Sequence, residues 1–217
     1  MIKAIIFDMD DLMVNCLQLH IDAWDVMLKE YNHSIDELPE KMAHDFMGRR
    51  VSEIGKEIID FYKIDVNYEE FMKKRNQIFL DLIKKDLPLM PGFLETVQLV
   101  KEKYKIALTT SSLIEYSSLV IEKLNLSDFF DVVVTGEDVS KGKPDPEPYA
   151  ITAEKLNILP NQCLVLEDAW NGIDSAKAAG CKCIAVENPF TPKQDLSKAD
   201  KIISSLHDLT LDMINTI

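Results

Sequence analysis

The chain has 217 residues, of which 47% are hydrophobic and 28% charged, enough for one large domain or one domain with an insert. Its formal net charge of −13 disfavours nucleic acid and anionic membranes as partners. The charge does not exclude a small anion, because a local site can oppose the global sign. No apolar run approaches the roughly 20 residues that a membrane span needs.

The N-terminus and the cysteines favour a cytoplasmic protein. The first residues turn acidic at once and contain no small-residue cleavage site, so we expect no signal peptide. The closest cysteine pair, at residues 181 and 183, has no second pair at the spacing of a zinc site. Free thiols in a reducing compartment are the simpler interpretation. The cysteines are Cys16, Cys163, Cys181 and Cys183.

The first half of the chain predicts one strand followed by helices. A continuous apolar run at residues 3–7 is typical of a strand buried on both faces. From about residue 15 to residue 85, apolar residues recur at helical spacing without an intervening strand, and two prolines and a glycine at residues 88–92 end this block. The predicted helices cover residues 19–31, 38–48, 51–62 and 68–85.

The second half of the chain alternates helix and strand. This order indicates an α/β fold, a doubly wound parallel sheet covered on both faces, with the earlier helices as an inserted four-helix cap domain. We expect residues 1–14 and 88–217 to form the core and residues 15–87 the cap. The predicted helices are 93–104, 113–126, 146–157 and 171–180, the strands are 105–110, 131–136, 163–168, 181–187 and 201–205, and a helix ends the chain.

Polar residues follow four of the predicted strands, at the sheet edge where ligands bind in open parallel sheets. Separately they have ordinary explanations, as turn formers, a helix cap, a surface lysine and an acid at a helix start. A hard cation could neutralise the acids, and the hydroxyls and the lysine could bind an anion. Together, these groups are the ones that phosphoryl transfer requires. The residues are Asp8 and Asp10, then residues 109–112, then Lys143, then Glu167 and Asp168.

These motifs, Asp8-Met9-Asp10, Thr110, Lys143-Pro144 and Glu167-Asp168, resemble the four motifs of the haloacid dehalogenase superfamily. The resemblance spans essentially the whole chain and implies a Rossmann-like core. It is strongest with the branch of helical-cap phosphatases and phosphomutases that includes beta-phosphoglucomutase. Because the second aspartate is retained, a dehalogenase is disfavoured: a haloacid needs neither a proton for its leaving group nor a metal.

The resemblance implies a role for each motif residue. Asp8 would be the nucleophile that forms an aspartyl-phosphate, and Asp10 the general acid and base. Mg²⁺ would be the cofactor. Its implied ligands are Asp8, the backbone carbonyl of Asp10, Glu167 and Asp168, and the implied phosphate-binding groups are Thr110, the Ser111 backbone N–H and Lys143.

Two positions depart from the family pattern. Asp11 stands where the family usually has glycine, and because aspartate tolerates unusual dihedral angles better than most residues, we expect a stiffer loop rather than an inactive enzyme. Asn15-Cys16 stands where the family often has Asp-Ser, which removes one charge near the hinge and leaves the chemistry intact.

The cap is expected to recognise the substrate, because it closes over the site and excludes water. His20 and Trp24 lie one helical turn apart and could face the cleft, although His20 could equally be a packed interface residue. Arg49 and Arg50 follow Gly48 and offer guanidinium groups to a phosphate or carboxylate. Arg75-Asn76 lie in a basic stretch that could also be a solvated helix face.

We therefore predict a Mg²⁺-dependent phosphomonoester hydrolase that acts on a small phosphorylated metabolite, most simply a sugar phosphate. A beta-phosphoglucomutase-type isomerase is the alternative, weakened because the segment after Gly48 reads Arg-Arg-Val-Ser instead of the Val-Ser-Arg order of those mutases. A non-catalytic anion-binding protein on the same fold is a further alternative. We expect no nucleic-acid or membrane partner, and a monomer or weak dimer.

Overall fold

The computed structural model of the chain describes residues 1–46 and 49–217. Within these residues, six parallel strands form one sheet in the order β3-β2-β1-β4-β5-β6. The predicted α/β fold with a doubly wound parallel sheet is confirmed. The strands are β1 (Ala4–Phe7), β2 (Lys105–Thr109), β3 (Val132–Val134), β4 (Cys163–Glu167), β5 (Lys182–Val186) and β6 (Lys201–Ile203).

Helices connect and cover these strands. The helix predicted over residues 93–104 is shorter than expected, because the backbone turns after Val100 to bring Lys105 beside Lys3 at the start of β2. The helices are α1 (Leu17–Lys29), α2 (Glu40–Asp45), α3 (Val51–Tyr62), α4 (Tyr68–Lys85), α5 (Phe93–Val100), α6 (Ile114–Lys123), α7 (Glu147–Leu156), α8 (Trp170–Ala178) and α9 (Leu211–Thr216), with short 3-10 turns at Ile35–Glu37, Pro160–Gln162 and Leu206–Asp208.

The alternation of side chains along β1 divides the core into two layers. Ile5 and Phe7 belong to the apolar cluster on one face, while Ala4 and Ile6 belong to the cluster on the other. All four are fully buried. A central parallel strand covered on both faces has no solvent side, which explains why this run is continuously apolar in the sequence.

The helices between β1 and β2 have an apolar cluster of their own. Trp24, Met27, Ile58 and Phe71 are buried in it, with contributions from α1, α3 and α4. The last turns of α4 instead join the larger cluster of the sheet through residues 79–83. The structure thus favours a separate cap core linked to the sheet through α4, and the proposed division at residues 15 and 87 stays a prediction.

None of the helices in the described part of the chain is both long and apolar enough to cross a bilayer. The four cysteines are buried and carry free thiols, as expected.

Two glycines with positive φ allow a matched test of packing in this fold. Gly92 has φ +85°, and a Cβ there would lie 2.4 Å from the backbone nitrogen of His207. Gly180 has φ +84°, but the nearest atom to its Cβ would be 3.8 Å away. Gly180→Ala should therefore cost only the backbone strain, about 1 kcal/mol, whereas Gly92→Ala should lower the free energy of unfolding by about 3 kcal/mol or more. Urea unfolding of both variants measures the difference, and equal losses would contradict the clash at Gly92.

Candidate active site

The motif side chains meet at the carboxyl edge of the sheet, beneath the cap. Asp8 follows β1, Glu167 ends β4 and Lys143 comes from the loop before α7. A cavity of about 650 Å³ opens above them, and Asp10, Ser111 and Asp168 also line it. Chain segments far apart in sequence are therefore brought to one site by strand order alone.

Lys143 holds the centre of this site. Its ammonium group lies 2.5 Å from Asp8 Oδ1 and 2.6 Å from Glu167 Oε1, and all three side chains are buried. Burial alone would lower the pKa of Lys143, but Asp8 and Glu167 raise it above its ordinary value, so the amine stays charged. Burial raises the pKa of Asp8, with Glu167 and Asp10 adding to the effect and Lys143 opposing it.

Glu167 is held on both of its carboxylate oxygens. Oε1 accepts hydrogen bonds from Lys143 and from the Tyr149 hydroxyl at 2.8 Å, while Oε2 accepts from the backbone N–H groups of Asp168 and Ala169. Gly172 in α8 packs directly against this carboxylate, since a Cβ there would lie 1.6 Å from Oε1. These contacts hold Glu167 in place, and Glu167 fixes the position of Lys143 whether or not it also binds a metal ion.

The carboxylate cluster fits a hard divalent cation. One oxygen each from Asp8, Glu167 and Asp168 lie within 4.8 Å of one another. Burial raises the pKa of Asp168, and the neighbouring carboxylates of Glu167, Asp11 and Asp8 raise it further. Three buried carboxylates against one ammonium leave an excess of negative charge, which Mg²⁺ with its preference for oxygen ligands would neutralise.

Asp10 is held by hydrogen bonds from three side chains. The Ser112 hydroxyl donates to Oδ2 at 2.5 Å, the Thr110 hydroxyl donates to the same oxygen at 3.4 Å, and the Cys16 thiol donates to Oδ1 at 3.2 Å. Burial, together with Asp10 and Asp11, raises the pKa of the Cys16 thiol, which keeps it protonated as a donor. In this arrangement the Thr110 hydroxyl faces Asp10, and its predicted role in phosphate binding stays a prediction.

Asp11 adopts the left-handed backbone conformation, with φ +61°, as its place at the usual glycine position suggests. Its Oδ1 accepts hydrogen bonds from the backbone N–H groups of Cys16 and Leu17, each at 3.0 Å, at the start of α1. Its own carbonyl accepts a bond from the Asn188 side chain at 2.9 Å. These bonds support the expectation of a stiffer loop, because a glycine could not tie the loop to the first cap helix.

His20 and Arg75 form one packed unit inside the cap. The Arg75 guanidinium lies 2.6 Å from His20 Nδ1 and over the rings of Trp24 and Phe79, at 4.6 and 5.0 Å from their centroids. Arg75 is 1% exposed, and burial lowers its pKa to about 9, so it remains a cation at neutral pH. Asn76 accepts a long hydrogen bond from it at 3.4 Å. The structure brings these four predicted cap residues together around one buried cation.

Arg49 and Arg50 are engaged elsewhere. Arg49 precedes α3 and forms an ion pair with Glu57 of that helix at 2.6 Å and a longer one with Glu53 at 3.5 Å. Arg50 reaches across to the core and donates to the Val139 carbonyl at 3.0 Å. Arg49 lines the main cavity, whereas Arg50 lines a second, smaller one beside α4. Gly48 precedes the segment whose order differs from that of beta-phosphoglucomutases, and it lies outside the described residues.

Sequence reasoning assigned no supporting role to several residues that act through others. Tyr149 and Gly172 shape the surroundings of Glu167, while Ser112, Cys16 and Asn188 hold Asp10 and Asp11. Ser112 had a visible signal, because it directly follows the other hydroxyl residues after β2. Tyr149 and Asn188 had none, since only the folded chain brings them to the sheet edge.

Comparisons with known proteins agree with this geometry. The profile of the haloacid dehalogenase-like hydrolase family matches residues 5–186. A phosphorylated carbohydrates phosphatase of Thermotoga maritima is 32% identical, with 84% of this chain and 83% of that protein covered. A beta-phosphoglucomutase of Bacillus subtilis is 29% identical, with 98% and 94% covered. The crystal structure of CbbY from Rhodobacter sphaeroides in complex with phosphate shares the fold, with a TM-score of 0.85, 21% identity, and 99% and 100% covered.

The His20–Arg75 contact predicts a pH-dependent stability. Burial, and then the neighbouring Arg75 charge, lower the pKa of His20 well below its usual value near 6.5. The unfolded chain therefore binds a proton near pH 6.5 that His20 does not bind in the folded chain, so His20 contributes a loss of stability as the pH drops from 7 to 5, by at most about 1.4 kcal/mol per pH unit. The raised pKa values of Asp8 and Asp168 contribute a slope of opposite sign, so the contribution of His20 is the difference between variant and wild type. His20→Gln should remove this contribution in urea unfolding, whereas His207→Gln at an exposed site should keep it. A wild-type slope in His20→Gln would refute the assignment.

Proposed function

Since the chain belongs to the haloacid dehalogenase-like hydrolases, we propose that it is a Mg²⁺-dependent phosphomonoester hydrolase that works through an aspartyl-phosphate on Asp8. The observation that carries the proposal is the convergence of Asp8, Lys143 and Asp168 below a cavity that Asp10 also lines. One nucleophilic carboxylate, one cation for the phosphate and a second carboxylate for proton transfer are what this reaction needs.

In the proposed reaction, an Asp8 oxygen attacks phosphorus and the bond from phosphorus to the leaving oxygen breaks. Asp10 gives its proton to that oxygen, so the product alcohol departs neutral. Water then attacks the aspartyl-phosphate, Asp10 takes a proton from it, and inorganic phosphate leaves as Asp8 is restored. Lys143 and the Ser111 backbone N–H would hold the phosphoryl oxygens during both steps.

Mg²⁺, held by Asp8, Asp168 and the Asp10 carbonyl, would neutralise charge on the transferring phosphoryl group. Of the carboxylates, Glu167 is the least able to bind the ion, because both of its oxygens already accept hydrogen bonds from the protein. Its proposed part is to set the distance between Lys143 and Asp8, with coordination of the ion secondary.

We propose a phosphorylated sugar or a sugar-like compound as the substrate class. The Thermotoga maritima relative is named for phosphorylated carbohydrates, which supports this class. The likeness to a beta-phosphoglucomutase keeps the isomerase as the alternative. A mutase must hold a second phosphate in the cap while the aspartyl-phosphate survives, and this demands a free cation at a fixed distance from Asp8.

The three arginines that could bind a second phosphate already have other partners. Arg49 is paired with Glu57 and Glu53, Arg50 is bonded to the core backbone, and Arg75 is covered by the Trp24 and Phe79 rings. Freeing any of them would break existing contacts. This favours hydrolysis over isomerisation.

The nucleophile is tested by Asp8→Asn. Because an amide cannot form the aspartyl-phosphate, phosphate release from a panel of phosphomonoesters with Mg²⁺ should fall at least about 10³-fold. Circular dichroism and thermal unfolding should show an intact fold. Asp212→Asn on α9 is the matched control and should be fully active. Substantial phosphate release by folded Asp8→Asn would refute the mechanism, and so would full activity of the wild type in a chelator. If the wild type released no phosphate from any ester, a non-catalytic anion-binding protein would be favoured.

The isomerase alternative is tested with beta-glucose 1-phosphate and Mg²⁺, with and without glucose 1,6-bisphosphate. We expect free phosphate to form without dependence on the bisphosphate, since Arg49, Arg50 and Arg75 each have other contacts. Glucose 6-phosphate and free phosphate are measured in parallel. Rapid, bisphosphate-dependent formation of glucose 6-phosphate with little free phosphate would overturn the hydrolase assignment.

A further inference from the structure

The cavity above Asp8 has two chemically different parts. Its floor is the polar cluster of the sheet edge, but its upper walls are apolar. Half-buried aliphatic and aromatic side chains of the cap face residues of the loop that follows β5. These walls include Ile21, Ile35, Phe46, Val51, Phe190 and Pro192.

Phe190 is held at the mouth of the cavity by a loop anchored at both ends. Its backbone N–H donates to the Asn188 side chain at 2.8 Å, and that side chain in turn donates to the carbonyl of Asp11. At the other end, Gln194 accepts a hydrogen bond from the backbone of Trp170 at the start of α8, at 3.2 Å. Phe190 is nevertheless 55% exposed. An exposed aromatic ring on a fixed support beside a catalytic cavity is suited to contact a ligand.

The charges around the cavity disfavour a second anion. Among its described lining residues, the cations are Lys143 and Arg49. Lys143 is shared by Asp8 and Glu167, and Arg49 is neutralised by Glu57. Glu40 adds a further negative charge to the cap side. Beyond the phosphate position, the wall therefore offers apolar surface and neutral hydrogen-bonding groups such as Asn15 and Gln18.

We infer that the site takes a phosphomonoester whose leaving alcohol is uncharged and carries an apolar or aromatic portion, which packs against Phe190 and the cap wall. This inference rests on the proposed function and narrows its substrate class. A carboxylate or second phosphate on the leaving alcohol would meet the negative potential of the wall without a free cation to pair with. A cavity of about 650 Å³ has room for a sugar with a ring-sized substituent.

Three esters of the same primary alcohol test this inference: glucose 6-phosphate, phenyl β-glucoside 6-phosphate and 6-phosphogluconate. Each carries its phosphate on the C6 hydroxyl. At the far end of the molecule, the first has no substituent, the second has an apolar ring, and the third, which is an open chain, has a carboxylate. With Mg²⁺, we expect kcat/KM for the phenyl glucoside to exceed that for glucose 6-phosphate by about tenfold, and 6-phosphogluconate to be the poorest substrate.

Phe190→Ala should remove the advantage of the phenyl glucoside, mainly by raising KM about tenfold, and leave hydrolysis of glucose 6-phosphate within about twofold. Phe190→Leu should retain part of the advantage, because it keeps an apolar side chain. Phe61→Ala is the matched control, since Phe61 is an exposed phenylalanine of α3 outside the described lining of the cavity. It should behave as the wild type.

The outcomes separate this inference from the proposed function. If glucose 6-phosphate is hydrolysed but the phenyl glucoside is no better, or 6-phosphogluconate is preferred, the inference is overturned and the hydrolase stands. If Phe190→Ala lowers kcat equally for all three esters, the assignment of Phe190 to the substrate is overturned. If the wild type hydrolyses none of these three esters but does hydrolyse others of the phosphomonoester panel, the inference alone is overturned. If it hydrolyses no ester of the panel, both the proposed function and the inference fall.

Discussion

The buried ammonium of Lys143 between Asp8 and Glu167 is the contact on which the rest of the site depends. Without that charge, the buried carboxylates of Asp8 and Glu167 would repel each other with no cation of the protein between them. The strand order supplies the carboxylates, because β1 and β4 are neighbours at the centre of the sheet. The loop before α7 supplies the lysine. Tyr149 and Gly172 then matter because they hold Glu167, and through it the lysine, in position beside Asp8.

The cap depends on a different kind of contact. Arg75 is a buried cation with aromatic rings and a neutral histidine around it, and no carboxylate of the described residues pairs with it. Such a group is stable only while the cap helices α1 and α4 stay packed together. The buried charge of Arg75 thus stabilises the cap itself, and the cap lines the cavity mainly with apolar side chains. His20 and Trp24 belong to both, since they contact Arg75 and also line the cavity.

Sequence patterns were sufficient for the architecture and the central motifs. The resemblance to haloacid dehalogenase-like enzymes is confirmed by the family match, and the parallel sheet follows from alternating helices and strands. Helices α3 and α4 begin and end at the predicted residues, because Asn67 caps α4 and apolar spacing is regular in both. The pairing of Arg49 and the anchoring of Phe190 could not be foreseen, since they depend on tertiary contacts that no local pattern encodes.

Asp11 connects three parts of the molecule through one residue. Its backbone lies in the loop that follows Asp8, its carboxylate accepts the first N–H groups of α1, and its carbonyl supports the loop that carries Phe190. Substitutions at positions 11 and 190 should therefore be epistatic, because energies of residues in one connected network do not add. Glycine at position 11 would keep the carbonyl but lose both carboxylate bonds, which would loosen the connection between this loop and the first cap helix. Because Asp11 also lines the cavity, one substitution there alters the hinge and the pocket together.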